Sequence, residues 1–412
     1  MNGPMNTGYI QFIRDNAPFL ATGALLSLLS CFGQTFFTSI FGGEIRADFG
    51  LSNGDWGLIY MIGTGASAVT MIWAGGLADM FRVRKLGIIV TAALALACVA
   101  MAFNTSAAGL VFVIFALRFL GQGMLAHVSV VAMTRWFIAA RGRALAVAGL
   151  GFMLGEATLP LIMVWLKSII AWRDLWIWFG GVCLILCFAL YHLLRLERTP
   201  QSVASQNAAT GLSGKHWTRA EAIGHPLFWL MVPAVVFFSA FGTVFWFQQV
   251  PFAQAKGWSH LALVAVFPLG TIALGISSII FGWAIDRIGA IRLLPFYILP
   301  YIAAFILHWV AGSLWVTALG VILMGIAGGG HGTLIAACWA EFYGTRYIGS
   351  IKAAAAALMV LGSALGPGIS GILIDAGIGI ETQMLGFSAC FVFAALMQTA
   401  ASRMALRLAR PA

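Results

Sequence analysis

Arg118 and Glu156 each interrupt an apolar run long enough to cross a bilayer. An ionisable side chain at that depth costs roughly 3 kcal/mol or more unless it is paired or faces water. A carboxyl group in hydrocarbon favours its neutral form, and a nearby cation restores the charged one. A group balanced between the two takes up and releases a proton as its surroundings alternate. Glu156 is the only acidic residue well inside an apolar run, so it is the candidate proton carrier. The competing role is a permanent ion pair with Arg118 that fixes two helices. Imidazole titrates near neutral pH and both donates and accepts hydrogen bonds. His127 and His331 recur at corresponding depths half a chain apart, which makes them candidates for solute binding or proton relay, against a packing role for each. His192 and His308 lack such a repeat and are assigned to packing. Ser27, Ser30, Gln34 and Thr38 fall in one narrow stripe at 100° per residue. Such a stripe is either the wall of a water-filled cavity or a polar seam between helices. Arg118, Gln122 and Ser129 share one face of their helix, and His127 lies nearly opposite.

The elements that must position these residues follow from composition. Hydrophobic residues make up 61% of the 412 and charged residues 9%, where a soluble domain carries about 25% charge. The chain is therefore a polytopic membrane protein. Its net charge of +10 sits in short turns between apolar runs, which excludes nucleic acid as the partner and fits the positive-inside rule. Cys31, Cys98, Cys183, Cys187, Cys338 and Cys390 all fall within apolar runs, without metal-ligand spacing. There is no phosphate-binding glycine loop, cofactor fingerprint or nucleophile–base cluster. The expectation is a protein that is not an enzyme and uses no cofactor or metal. Residues before Ala17 hold no apolar core, so the first run is expected to remain as a span rather than leave as a signal peptide.

A helix needs about 20 apolar residues to cross the hydrocarbon. That length predicts an all-α protein of twelve spans: 17–41, 56–78, 86–103, 109–137, 144–166, 175–194, 226–250, 260–285, 291–312, 314–340, 348–374 and 382–402. They are called spans 1 to 12 below. Six lie on each side of a polar stretch, dividing the chain into an N-terminal bundle (1–194), a linker (195–225) and a C-terminal bundle (226–412). Within the linker, Trp217 to Phe228 is expected as a short amphipathic helix on the membrane surface. With both termini in the cytoplasm, all but five of the 23 Lys and Arg residues fall on that side. The exceptions are Arg46, Lys167, Arg173 and Lys256 opposite, and Arg118 within the membrane. This predicts a multi-pass inner-membrane protein with both termini cytoplasmic.

Two turns repeat between the halves. Gly75, Asp79, Arg84 and their neighbours mark the end of span 2 and the turn after it, and Gly282, Asp286, Arg287 and Gly289 the end of span 8 and its turn. In each, a glycine precedes the aspartate by four residues, on the same side of the preceding helix, where a small residue admits a neighbouring helix. The pair resembles the loop signature of the major facilitator superfamily. The second copy fits throughout; the first has Met80 where the family carries a basic residue and Arg82 where it carries glycine. The resemblance implies the major facilitator fold, two pseudo-symmetric six-helix bundles with a solute site near the midplane, and turns that stabilise one gated state. It also implies that span 1 lines the cavity, which makes Gln34 a candidate hydrogen-bond donor to substrate. Arg118-Phe119-Leu120-Gly121-Gln122-Gly123 resembles the family's span 4 arginine motif, associated with proton coupling or with contacts to span 1.

Thr134-Arg135-Trp136-Phe137, Arg141-Gly142, the run Ala144 to Gly155 and the segment Glu221 to Trp229 resemble the oxalate/formate antiporter and monocarboxylate transporter branch. That branch meets its carboxylate with a basic residue in span 8, yet Leu261 to Ile285 holds no Lys or Arg. The expected function is alternating-access transport of a small organic solute, a monocarboxylate-like anion, coupled to protons and carried out by a monomer in the bilayer. The alternative is a proton-driven exporter of hydrophobic or cationic compounds.

Overall fold

The computed structural model describes residues 9–137, 141–195, 211–344 and 346–408, with the side chains of residues 9, 10, 79, 141, 349 and 350 outside the description. Among the described residues every long element is a helix. A backbone in hydrocarbon must satisfy its own hydrogen bonds, and a helix does so within one segment. Among the described residues, ten helices are long and apolar enough to cross a membrane, and the bent pair Ala17–Gly33 and Thr35–Phe49, counted as one span, makes an eleventh. The shorter apolar helix Leu299–Val310 stands at the place of span 9. Each expected span has a helical counterpart; most ends agree to within a few residues, while span 1 runs on to Phe49, span 12 to Leu408, and the helix of span 9 starts only at Leu299.

Spans 1 and 9 depart from straight helices. Span 1 bends by 48° at Gln34. Span 9 is interrupted by turns between the short helix Ala290–Leu293 and Leu299–Val310, where Pro295 withholds a backbone donor, and Pro300 sits in the first turn of the second helix. The glycine that ends span 8, Gly289, has φ +88°, and Gly344 after span 10 has φ +75°. That left-handed backbone is open to glycine and closes the helix end.

The pairing of spans shows the duplication. Span 1 packs on span 5, and span 7 on span 11; span 3 packs on span 6, and span 9 on span 12. Span 2 meets span 4 where Gly63 faces Val111 to Phe115, and span 8 meets span 10 where Gly270 faces Val321 and Gly325. The chain groups into two compact units, Met1–Phe41 with Ile62–Ala204, and Gly42–Met61 with Ser205–Ala412. In the second unit, the start of span 2 lies on span 11: Gly54 and Gly57 face Ile372, Pro367 and Gly368. Trp56 stacks on Phe247, and Tyr60 packs against the same ring at a tilt.

The expected surface helix is only Arg219–Gly224. Thr218 and Glu221 close a capping box at its start, and the Thr218 N–H and hydroxyl hold the Glu221 carboxyl below its usual range. Trp217 does not lie on the membrane surface. It is buried, its backbone N–H donates to Tyr343 O, and its indole N–H donates to Leu212 O.

Candidate functional site

The break in span 1 begins with local chemistry. Ser30 Oγ donates to Ser27 O at 2.6 Å, a back-bond that bends helices. Cys31–Gly33 tightens to a 3₁₀ turn, and Gln34 is extended at φ −81°, ψ 155°. The helix restarts with Phe37 N donating to Gln34 O at 3.2 Å. In a continuous helix that N–H would have served Gly33 O, so the break leaves the Gly33 carbonyl without its helical donor.

Arg118 supplies the missing bond. Its Nη1 donates to Gly33 O at 3.0 Å, and the side chain is 1% exposed. Arg118 opens a π-helical stretch, Arg118–Leu125, a widened turn that frequently marks functional sites. The two irregular segments meet backbone to backbone. A Cβ on Gly33 would lie 2.8 Å from Gly121 Cα and clash with Leu117 O, and one on Gly121 would lie 2.7 Å from Gly33 Cα. The guanidinium is thus buried against the carbonyl that the break exposes, and a charged donor bonds such a group more strongly than a neutral one.

Gln34 is the extended residue of the break and is half-buried. Glu156, half-buried on span 5, follows Gly155, whose missing side chain makes room for Cys31 Sγ and Leu28 of span 1. Cys31 Sγ also donates to Phe152 O. Arg118, Gln34 and Glu156 therefore all stand at the level of the span 1 break. The rest of the polar stripe is spent on packing. Ser27 Oγ lies 2.9 Å from Ser129 Oγ, Ser129 donates to Gly23 O at 2.8 Å, and the buried Thr38 donates to Gln34 O and Thr35 O.

The duplicated histidines hold different posts. His127 Nε2 lies 3.1 Å from Gly75 O; a carbonyl only accepts, so Nε2 carries the proton. His127 thus grips the end of span 2 at the first signature turn. His331 lies parallel to Phe238, centroids 3.8 Å apart and planes 4° apart, with Tyr297 at 5.9 Å. Phe238 in turn stacks on Tyr301 at 4.7 Å. The glycines before His331 serve close approach to span 8, since Gly329 touches Leu274 O and Ser278 N and the helix Leu314–Tyr343 is unbroken.

Both signature turns are tied to the following even-numbered span by residues that sequence reasoning did not assign there. Arg135 Nη1 of span 4 donates to Ala78 O, a cation at the end of the turn helix Leu77–Met80. Glu341 at the end of span 10 accepts from Ala290 N at 3.2 Å. Asp79 lies in Leu77–Met80, and its side chain is outside the described residues. Arg84 stacks over the Tyr191 ring at 4.1 Å. Asp286 is exposed, and Arg287 stands over Trp283 at 4.9 Å. Gly282 differs from expectation: a Cβ there meets nothing within 4 Å, so no close helix contact uses its small size.

A further missed residue is Asp375, at the end of span 11. Its carboxylate accepts from Gly54 N at 2.7 Å, Asn53 N at 3.1 Å and Asn53 Nδ2 at 3.4 Å, and Arg46 Nη1 donates to Asn53 Oδ1 at 2.7 Å. Asp375 caps the first turn of span 2, where orphan N–H groups and the helix dipole favour an anion. The aspartate followed by Ala376-Gly377 was the only signal, and it reads as an ordinary span end.

A duplicated bundle of twelve apolar helices, its first span broken and its break held by a buried arginine, defines a secondary transporter of the membrane. The chain belongs to the Major Facilitator Superfamily, whose profile matches residues 23–367. Among solved structures, a bacterial homologue of the human lysosomal transporter Spinster, inward-facing and unoccupied, is similar at a TM-score of 0.72 and 16% identity, over 98% of this chain and 99% of that one. The nucleoside transporter NupG gives 0.67 and 16%, over 93% and 98%. The human organic anion transporter MFSD10 gives 0.64 and 16%, over 93% and 99%. At these identities the likeness is one of fold. Comparison with curated proteins gives no match.

Proposed function

We propose that this transporter moves a small organic anion of the monocarboxylate class, coupled to protons. It acts in the inner membrane as a monomer with both termini cytoplasmic, and Gly75, Asp79, Arg84, Gly282, Asp286, Arg287 and Gly289 bias one gated state. The observation that carries the reading is the level shared by Arg118, Gln34 and Glu156 around the broken span 1. A backbone unwound at mid-membrane is tolerated where protein or a water-filled cavity receives it, and transporters bind solutes at such breaks. Glu156 supplies the exchangeable proton, Gln34 a hydrogen-bond donor, and Arg118 the positive field and the fixed geometry. The branch resemblance around Thr134 to Gly155 supports a carboxylate as the solute. In the second unit, the imidazole of His331 stacked on Phe238 adds an aromatic surface, and this observation favours the alternative of a hydrophobic or cationic solute.

The test is uptake of labelled formate and lactate into vesicles under an imposed proton gradient. Wild type is expected to accumulate the anion. Glu156→Gln is expected to lose gradient-driven accumulation while retaining counterflow exchange. Full accumulation by the variant removes Glu156 from the coupling. Gradient-driven efflux of a lipophilic cation, without carboxylate uptake, replaces the anion reading by the exporter.

A further inference from the structure

Spans 3 and 6 pack closely, with Gly180 of span 6 set against Val99 and Ala95 O of span 3. At the end of this seam that carries the first signature turn is a cavity of about 520 Å³. Its lining includes Arg82, Arg84 and Lys85 from the start of span 3, and Tyr191 and Arg195 from the end of span 6; among the described residues no carboxylate lines it. The volume lies within the roughly 300–1,000 Å³ typical of small-ligand sites. The Arg84 guanidinium is held over the Tyr191 ring at 4.1 Å, a cation–π contact that orients it at the pocket wall.

The surface leading into the pocket is apolar and uncovered. On span 3, Ile89, Leu96 and Phe103 are 53%, 71% and 70% exposed, and seven-residue steps keep them on one helix face. On span 6, Ile185, Phe188 and Tyr191 follow at three-residue steps and are 70%, 68% and 48% exposed. Four cations at the membrane surface therefore crown a strip suited to acyl chains. Scattered basic residues would serve topology alone, but these four converge on one cavity. Basic pockets between helices at the bilayer surface suit phosphate-bearing headgroups.

We propose that this pocket binds an anionic phospholipid, its phosphate among Arg82, Arg84, Lys85 and Arg195 and its acyl chains along the seam of spans 3 and 6. Charge complementarity selects the occupant: a zwitterionic lipid brings an ammonium into a pocket already lined by four cations, whereas phosphatidylglycerol brings only negative charge. The site is separate from the residues around the span 1 break and holds whatever solute is carried.

Full-length protein is placed in nanodiscs of equal phosphatidylglycerol and phosphatidylcholine, released into mild detergent, and its retained lipids are counted by native mass spectrometry. Wild type is expected to retain phosphatidylglycerol preferentially. Lys85→Gln/Arg195→Gln is expected to lower that preference on the order of tenfold, while Lys215→Gln/Arg219→Gln, removing exposed charges elsewhere, leaves it unchanged. Should the first double variant fail to fold, Arg195→Gln alone, at an exposed helix end, carries the same comparison. Equal retention of both lipids by wild type overturns the proposal, as does an undiminished preference in the pocket variant. Release of the retained lipid by millimolar inorganic phosphate also overturns it, by showing a site for soluble anions.

Discussion

Arg118 is buried, and its guanidinium serves the Gly33 carbonyl, 85 residues away. Its cost of burial is offset by a partner that the break leaves without its helical donor. His127 is a similar case at a smaller scale: its N–H serves Gly75 O at the end of span 2. We expect His127→Ala to lower stability by ~1 kcal/mol, the ordinary worth of such a bond. His127→Gln, which keeps an N–H donor on a chain of similar reach, should restore most of the loss. Thermal unfolding of both variants alongside uptake kinetics checks this. A His127→Ala protein with wild-type melting and a raised KM for the solute would return the residue to the binding site. His331 has no such bond from its buried Nδ1 and stacks on Phe238 instead, so repetition in sequence did not carry over to repetition of contacts.

At the scale of elements, the molecule uses helix ends as attachment points. Glu341 reaches the start of Ala290–Leu293, Arg135 the end of Leu77–Met80, and Asp375 the start of span 2. The last is the most developed, with three hydrogen bonds to one carboxylate and close packing of Gly371 against Asn53 O beside it. Replacing an N-terminal cap costs ~1 kcal/mol, and loss of a charged acceptor from backbone N–H groups adds to it. Asp375→Asn is accordingly expected to lower the melting temperature modestly and to raise amide hydrogen exchange at Asn53 to Trp56. Exchange unchanged over these residues in the variant would show that the glycine packing alone holds span 2 in place.

For the molecule as a whole, the duplicated pairing of spans is the organising fact, since 1·5 and 7·11, or 3·6 and 9·12, are the same contact made twice. The signature turns belong to this scale because they end corresponding spans. Asp286 is exposed, and surface substitutions away from special features usually fall within about 0.5 kcal/mol of neutral. Asp286→Asn should therefore melt as wild type does, yet transport more slowly if the turn biases a gated state. Turnover equal to wild type would reduce the turn to a marker of topology.

The amino-acid sequence by itself determined the number of spans, their approximate ends and the duplication. Hydropathy over a bilayer's thickness is a local, additive property, and a turn such as Gly282 to Gly289 is written contiguously. It also marked Arg118, Gln34 and Glu156 as costly or polar residues that needed partners. Only the tertiary structure decided who those partners are. Ser30 turned to its own backbone, Arg118 to a carbonyl that exists as an acceptor only because span 1 breaks at Gln34, and Asp375 to an amide 322 residues away. A hydrogen bond is settled by position to within a few tenths of an ångström, and that position is fixed by packing between distant spans, which no local spacing encodes.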